Sequence, residues 1–156
     1  MRVLVVTVSD RASEGVYEDR SGPAMAEVLR EKLPGVQVER TVVPDDPARI
    51  EQALVAGLAF DAVITTGGTG VGPRDVTPDV TARFCDRLLP GIAEILRSES
   101  YKQTPTAMLS RAVAGMKGET VIVNVPGSVK GARFCAGLLA PVLDHALRMR
   151  AGEGHG

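Results

Sequence analysis

The stretch AVITTGGTG, residues 62–70, decides the fold. Its first five residues form a short apolar and β-branched run, which is typical of a strand buried on both faces of a parallel sheet. Gly67, Gly68 and Gly70 follow at once, and glycine lets the backbone turn tightly or approach a ligand closely. The stretch therefore predicts a buried strand that opens directly into a glycine-rich loop, which continues to Val76.

Strand and helix patterns alternate on both sides of this stretch. Apolar runs predict strands, while capping residues and prolines mark where helices begin and end. The predicted strands cover residues 2–7, 36–43, 62–66, 110–116 and 120–125. Two predicted helices begin at Pro23, with Gly22 or Ser21 as the cap, and at Pro47, with Asp46 as the cap. The other predicted helices cover residues 77–88, 92–100, 130–138 and 142–150.

This alternation predicts an α/β fold with a mostly parallel sheet and helices on both faces. We expect one domain over residues 1–151, followed by a small, polar and flexible tail at residues 152–156. In such sheets ligands bind beyond the carboxyl ends of the strands, beside a change in strand order. Candidate functional residues are therefore expected in the loops that follow strand ends.

The composition narrows the classes of function. The 156 residues carry a formal net charge of −1 and only 3% aromatic residues, which argues against a general nucleic-acid binder. No apolar stretch approaches the roughly 20 residues of a membrane span, and the N-terminus lacks the features of a signal peptide. Cys85 and Cys135 have no metal-like spacing and are expected to be free thiols. We therefore expect a cytoplasmic protein that binds neither nucleic acid nor membrane.

The glycine-rich loop has two interpretations that the residues alone leave open. Successive N–H groups of residues 67–70 can form a nest for a phosphate group. Alternatively, the glycines serve only the geometry of a tight crossover from strand to helix. The spacing matches neither a Walker loop nor a dinucleotide-binding motif.

Asp45 and Asp75 are the candidate carboxylates, because each lies just beyond a predicted strand end. Beside a polyphosphate they would need a cation, and Mg²⁺ is commonly held by one or two carboxylates plus phosphate oxygens. Alternatively, Asp45 is a turn residue beside a helix cap, and Asp75 is a turn residue or a partner of Arg74. Ser128 either contacts a second phosphate or caps a helix. No histidine or cysteine arrangement supports a zinc site or a histidine-based triad.

Two segments, TTGGTG at residues 65–70 and RDVTPD at residues 74–79, form a specific pair of motifs. Five further segments occur in order: SDRASEGVYED at 9–19, VPDD at 43–46, LPGIAE at 89–94, TAMLSR at 106–111 and NVPGS at 124–128. Together these seven segments resemble the MogA/MoaB family of molybdenum cofactor biosynthesis proteins. The fold of that family also forms the molybdopterin-binding domain of MoeA and gephyrin.

The resemblance implies a three-layer α/β/α domain with a doubly wound sheet, usually a homotrimer and in some members a hexamer. It implies an enzyme that uses Mg-ATP to adenylylate molybdopterin, releasing pyrophosphate, with hand-over to a molybdate-inserting protein of the MoeA type. The two aspartates that matter in the family match Asp45 and Asp75. The positions expected to contact the substrates are Ser9, Asp10, Thr66, Gly67, Gly68, Thr69, Gly70, Glu94, Ser110, Pro126, Gly127 and Ser128.

The chain departs from the family pattern at two places. Val129 stands where proline is frequent, and Arg74 is the only basic residue between Gly70 and Asp75, where some members have another. Neither departure affects Asp45. A non-catalytic molybdopterin-binding protein of the MoaB type is the alternative, and an oligomeric assembly module is the third. The presence of both aspartates favours the enzyme.

Overall fold

The computed structural model describes residues 1–153 and is built on a six-stranded sheet. The strands are β1 (Arg2–Val8), β2 (Gln37–Val43), β3 (Ala62–Thr66), β4 (Arg87–Leu88), β5 (Ala114–Lys117) and β6 (Thr120–Val125). They lie in the order β2-β1-β3-β6-β5-β4. The first four in that order pair in parallel, whereas β5 and β4 pair antiparallel. The predicted, mostly parallel sheet is confirmed.

Helices cover both faces of the sheet. They are α1 (Asp10–Ser13), α2 (Ser21–Lys32), α3 (Pro47–Ala56), α4 (Thr77–Phe84), α5 (Pro90–Tyr101) and α6 (Val129–Arg150), with 3₁₀ turns at Gly57–Ala59 and Pro105–Leu109. Successive strand side chains point to opposite faces. Val3 and Val5 of β1 therefore pack in the core shared with α2, α5 and α6, while Leu4 and Val6 pack in the core shared with α3 and α4. The result is the expected three-layer α/β/α sandwich.

Several predicted boundaries are wrong between β3 and β6. The helix predicted over 77–88 ends at Phe84, because residues 87–88 pair with β5 as a short edge strand. Pro90 is the first residue of α5, a position that favours proline because its missing N–H would have no helical partner there. The strand predicted over 110–116 covers only residues 114–117, since residues 110–113 are irregular and the Arg111 N–H bonds to the Thr69 carbonyl of the glycine-rich loop instead of to a strand.

Two helix predictions also need correction. The two C-terminal helices are one helix, α6, with Pro141 in its interior. Its buried face continues across the proline through Leu139, Ala140 and Leu143, so packing outweighs the lost backbone hydrogen bond. The other correction is at α2, which begins at Ser21 and therefore earlier than a cap at Gly22 implies. Arg20 stands at the cap position, and its side chain makes no capping hydrogen bond.

Other expectations have simpler outcomes. Asp46 and Ser128 cap α3 and α6 through their side chains. Cys85 and Cys135 are free thiols, and burial raises the pKa of Cys85 to about 11. Within residues 1–153 no helix is both long and apolar enough to cross a bilayer. Residues 154–156 of the predicted tail lie outside the described residues.

The sheet changes winding direction between β1 and β3. The chain leaves β1 for β2 on one side and leaves β3 for the strands on the other side. At such a point the loops diverge and open a crevice beyond the strand ends. The strands end level with one another, with Thr7 opposite Thr66 and Thr66 opposite Val125. The loops after β1, β2, β3 and β6 therefore meet at one edge of the sheet.

Asn124 supports this edge from within the core and gives a test of the fold. Its amide donates to the hydroxyls of Thr65 and Thr81 at 2.9 Å, and its oxygen accepts from the Val113 N–H. Replacing Asn124 with alanine leaves buried polar groups unpaired and should lower the free energy of unfolding by about 3 kcal/mol. Urea denaturation measures this change, with the exposed Ser98→Ala variant as the control. Equal stability of the two variants would refute the role of Asn124.

Candidate functional site

The glycine-rich loop begins where three backbone segments touch. Gly67 has a φ of 103°, and a β-carbon added to it would collide with the carbonyl group of Val8. A β-carbon on Gly127 would lie only 3.1 Å from the Gly67 α-carbon. The loops that follow β1, β3 and β6 can approach this closely only because glycine occupies positions 67 and 127.

The carbonyl groups of the glycine-rich loop accept hydrogen bonds from the protein, whereas several of its N–H groups face no protein acceptor among the described residues. The carbonyl oxygen of Gly68 accepts from the Thr77 N–H, that of Thr69 from the Arg111 N–H, and that of Gly70 from Arg111 Nε. Within residues 1–153 the N–H groups of Gly68, Thr69 and Gly70 donate to no protein acceptor. With its acceptors occupied and three donors available, the loop has the polarity of an anion-binding nest.

Arg111 holds this loop in shape. Its guanidinium donates to the carbonyls of Gly70 (2.9 Å) and Asp75 (2.6 Å) and forms a bidentate ion pair with Asp79 at 3.1 Å. A planar guanidinium can satisfy several acceptors at fixed angles, which an ammonium group cannot. Arg111 belongs to the TAMLSR segment but was not predicted as a site residue, because nothing in its spacing shows that it reaches back to the loop.

A second network joins the loops after β1, β2 and β3. The Asp10 N–H donates to the Asp45 carboxylate and the Asp45 N–H donates to the Asp10 carboxylate, both at 3.0 Å. Arg74 forms a bidentate pair with Asp10, from Nε at 2.9 Å and Nη2 at 3.0 Å. Both oxygens of the Asp10 carboxylate therefore accept hydrogen bonds from protein groups. The proposed pairing of Arg74 with Asp75 does not occur.

The two networked aspartates have opposite pKa shifts. Burial raises the pKa of the Asp45 carboxyl, and the nearby charges of Asp10 and Asp75 raise it further. The hydrogen bonds from Arg74 lower the pKa of Asp10. Perturbed carboxylates of this kind cluster at functional sites, because an acid that is costly to ionise in the free protein gains from a bound cation.

Asp45 and Asp75 face one cavity of about 660 Å³, which we call the acidic cavity. Asp75 is fixed by the Gly72 N–H, which donates to its carboxylate at 2.9 Å. Among the described residues no cluster of three or more histidine, cysteine, aspartate or glutamate side chains could hold a metal ion by itself. Any cation between these two carboxylates would complete its coordination with ligand oxygens and water.

The structure brings most of the predicted site residues to this region, in two groups. The acidic cavity is lined by Ser9, Asp45, Thr66, Gly67, Gly68, Asp75, Gly127 and Ser128. A neighbouring cavity of about 270 Å³, which we call the apolar cavity, is lined by Thr69, Gly70, Ser110, Pro126 and Ser128. Ser128 borders both cavities and also accepts the Gly131 N–H as the cap of α6.

Two predicted residues line neither cavity: Asp10, which bonds to Asp45 and Arg74 beside the acidic cavity, and Glu94, which lies apart from the site. Glu94 is exposed on α5, because its neighbours Ala93 and Leu96 are the residues of this helix that turn toward the core. Within one chain, its motif position therefore does not bring it to the site.

Residues missed by sequence analysis also line the acidic cavity. Tyr17, Glu18 and Asp19 belong to the segment after β1, and Asp19 accepts hydrogen bonds from the Thr7 hydroxyl and the Gly22 N–H. Arg20 is the only lysine or arginine among the described residues that line this cavity. Tyr17, Glu18 and Asp19 lie in the same motif as Ser9, which was the available signal, and Arg20 directly follows it, but no regular pattern indicates which way such a loop folds.

Comparisons with known proteins agree on one family. Residues 4–145 match the family model described as a probable molybdopterin binding domain. The chain is 41% identical to a molybdopterin adenylyltransferase of Helicobacter pylori, over 98% of this chain and 89% of the relative. It is 43% identical to the molybdopterin adenylyltransferase of Escherichia coli K12, over 83% of this chain and 69% of that relative.

A solved structure gives the same result for the fold. The molybdopterin biosynthesis enzyme MoaB of Thermus thermophilus superposes with a TM-score of 0.86 at 42% identity. The superposition covers 97% of this chain and 96% of that protein.

The opposite pKa shifts predict opposite effects of two isosteric substitutions. The folded protein binds a proton at Asp45 more tightly than the unfolded chain does, so ionised Asp45 costs stability above its ordinary pKa of 3.8. Asp45→Asn should therefore raise the free energy of unfolding at pH 7, and the gain should shrink as the pH falls toward 4. The ionised Asp10 carboxylate stabilises the folded protein above pH 3.8, and this contribution is lost as the pH falls below that value. Asp10→Asn should therefore lower the free energy of unfolding at pH 7. Urea titrations at pH 7 and pH 4 measure both, and shifts of the same sign at pH 7 would contradict the network.

The contacts of Arg111 predict that the glycine-rich loop opens more often when the guanidinium group is replaced. Arg111→Lys keeps the charge but not the bonds to the carbonyls of Gly70 and Asp75, so the loop should open more often. Amide hydrogen exchange at Gly72, Asp75 and Thr77 should accelerate roughly tenfold. Arg133→Lys is the matched control, since Arg133 pairs with exposed Glu27 on α2, away from the loop. Unchanged exchange in the loop would show that Arg111 does not hold it.

Proposed function

The chain belongs to the family of molybdopterin-binding domains, and we propose that it is a molybdopterin adenylyltransferase, which joins the AMP part of ATP to the terminal phosphate of molybdopterin and releases pyrophosphate. The enzyme acts in molybdenum cofactor biosynthesis. Two relatives named for this activity match 98% and 83% of the chain at 41% and 43% identity. The finer features of the reaction follow from the geometry of the site.

One observation carries the proposal. Two carboxylates, Asp45 from the loop after β2 and Asp75 from the loop after β3, face one cavity that also contains glycines 67 and 68. Phosphoryl transfer needs little covalent help from a protein, and its catalysis is mostly positioning and charge neutralisation. A nest for phosphate beside two carboxylates for a metal ion meets both needs.

The two cavities suit the two substrates. The acidic cavity is larger and carries Asp45 and Asp75, so we assign it to the ATP phosphates and their metal ion. The apolar cavity includes Leu109 and Phe134 with Lys130 at its border, which suits a flat pterin that carries a phosphate. The loop from Gly67 to Gly70 contributes to both, so the reacting phosphates would meet at this loop.

The donor set of the acidic cavity fits Mg²⁺. Mg²⁺ commonly takes one or two carboxylates and fills its other positions with phosphate oxygens and water. A bound Mg²⁺ would neutralise phosphate charge beside Asp45 and Asp75. Without such a cation these carboxylates would repel the triphosphate, since Arg20 is the only described cationic residue that lines the cavity.

The protein groups then have defined tasks in the reaction. An oxygen of the molybdopterin phosphate attacks the α-phosphorus of ATP, the bond to the bridging oxygen breaks, and pyrophosphate leaves. The N–H groups of Gly68, Thr69 and Gly70 hold phosphate oxygens as charge shifts between them. Arg111 keeps these donors in place from behind. Asp45 and Asp75 would hold the metal ion, which would supply charge neutralisation for the nucleotide phosphates.

A non-catalytic molybdopterin-binding role is the second candidate. The family model that matches residues 4–145 is described by molybdopterin binding alone, which this role would also explain. The acidic cavity with both carboxylates in place favours the enzyme, since binding of a pterin alone would not call for two acids beside a phosphate nest.

We also propose that the protein is cytoplasmic, works as a homotrimer or hexamer, and passes its product to a molybdate-inserting protein. Large apolar side chains on α5 and α6 support self-association: Ile95 is 57% exposed and Val142 is 43% exposed. Glu94 lies on the same helix as Ile95. In such an oligomer it would therefore lie near the site of a neighbouring subunit.

The activity is tested by incubating the protein with molybdopterin, ATP and Mg²⁺ and measuring adenylylated product and pyrophosphate. We expect both products in equal amounts, and Asp75→Asn should lower turnover about 100-fold or more while pterin binding changes little. Asn has the same shape, so the loop should keep its fold. Pterin binding without product by the wild-type protein would favour the non-catalytic role. Equal loss of turnover and pterin binding in the variant would contradict the task assigned to Asp75.

A further inference from the structure

Thr77, the first residue of α4, carries a polar group without a partner. Its side chain is fully buried, and within residues 1–153 its hydroxyl makes no hydrogen bond. The buried hydroxyls of Thr66, Thr81 and Thr120 all bond to protein atoms. An unpaired buried hydroxyl costs stability, so its retention needs an explanation.

The position of Thr77 is fixed by its backbone. Its N–H donates to the Gly68 carbonyl at 3.2 Å, and its carbonyl accepts from the Thr81 hydroxyl at 2.8 Å. These bonds fix the backbone of Thr77 at the first turn of α4, so its hydroxyl can reach only groups that lie beside this turn.

One acceptor lies within reach. A β-carbon added to Gly68 would collide with the Thr77 hydroxyl and would lie 3.0 Å from Oδ1 of Asp45. Both oxygens therefore border the same point, which glycine leaves empty. Asp45 uses Oδ2 to accept from the Asp10 N–H, and among the described residues nothing donates to its Oδ1.

We propose that Thr77 is a positioning residue: its hydroxyl donates a hydrogen bond to the Asp45 carboxylate when Mg-nucleotide occupies the acidic cavity. This inference rests on the proposed function. The terminal torsion of aspartate is soft, so the Asp45 carboxylate can rotate to turn Oδ1 toward the hydroxyl. The hydrogen bond then holds Asp45 in its ligand-binding orientation, and the unpaired group in the free protein stores part of that interaction.

If Thr77 positions Asp45, removing its hydroxyl should weaken ligand binding without lowering the melting temperature. A purely structural role predicts a lower melting temperature instead. Thr77→Val keeps the shape and removes only the hydroxyl, which has no partner in the free protein. The melting temperature should therefore stay equal or rise. Binding of Mg²⁺ with a non-hydrolysable ATP analogue should weaken roughly tenfold or more, the effect expected for one hydrogen bond to a charged group. Thr77→Ser restores the hydroxyl and should bind close to wild type.

Thr120→Val is the matched control. Thr120 is equally buried, but its hydroxyl donates to the Phe60 carbonyl at 2.9 Å at the far end of the sheet. This variant should melt at a lower temperature and bind the analogue as the wild type does. Isothermal titration calorimetry measures the affinities and circular dichroism measures the melting.

Each other outcome decides against something specific. If Thr77→Val binds the analogue as tightly as wild type, the hydroxyl has no role in ligand binding. If Thr77→Val melts as low as Thr120→Val, the hydroxyl already has a partner in the free protein. If Thr77→Ser binds as weakly as Thr77→Val, the methyl group matters and not the hydroxyl. If the wild-type protein binds no Mg-nucleotide, the proposed function itself is wrong.

Discussion

The site depends on one close approach of backbone to backbone. Gly67 touches the carbonyl of Val8 on one side and Gly127 on the other, so three strand-end loops converge where a single methyl group would hold them apart. The parallel pairing of β1, β3 and β6 brings the loops level, and the change of winding direction between β1 and β3 opens the space beyond them. The cavities are a consequence of that convergence.

The second organising feature is the polarity of the glycine-rich loop. Its carbonyl oxygens are taken by the Thr77 N–H and by Arg111, which leaves N–H groups for a ligand. The carboxylates beside this loop favour a cation, whereas the N–H groups of the loop favour an anion. Ionising half-buried Asp45 costs stability, while Asp10 on a neighbouring loop is paired with Arg74. A cation bound beside Asp45 would relieve that cost.

Sequence patterns predicted the central elements well, because those elements obey local rules. Ala62–Thr66 and Thr120–Val125 are continuous apolar runs, and both strands have the predicted bounds. Prediction failed at residues 85–90, where an edge strand of two residues has no periodicity to reveal it. It failed again at Pro141, because the local cost of proline is smaller than the gain from packing a continuous apolar helix face.

The sequence by itself determined the fold class and the glycine-rich loop, and it indicated Asp45 and Asp75 as candidate carboxylates, since glycine spacing, caps and strand ends are local properties of a chain. Only the tertiary structure decided that these aspartates share a cavity, that Arg74 pairs with Asp10, that Arg111 reaches back to the loop and that Glu94 lies away from both cavities. The side-chain hydrogen bonds of Arg74 and Arg111 join residues 32 or more positions apart in the chain. No local pattern encodes which distant partner a side chain meets, because that is set by how the layers pack.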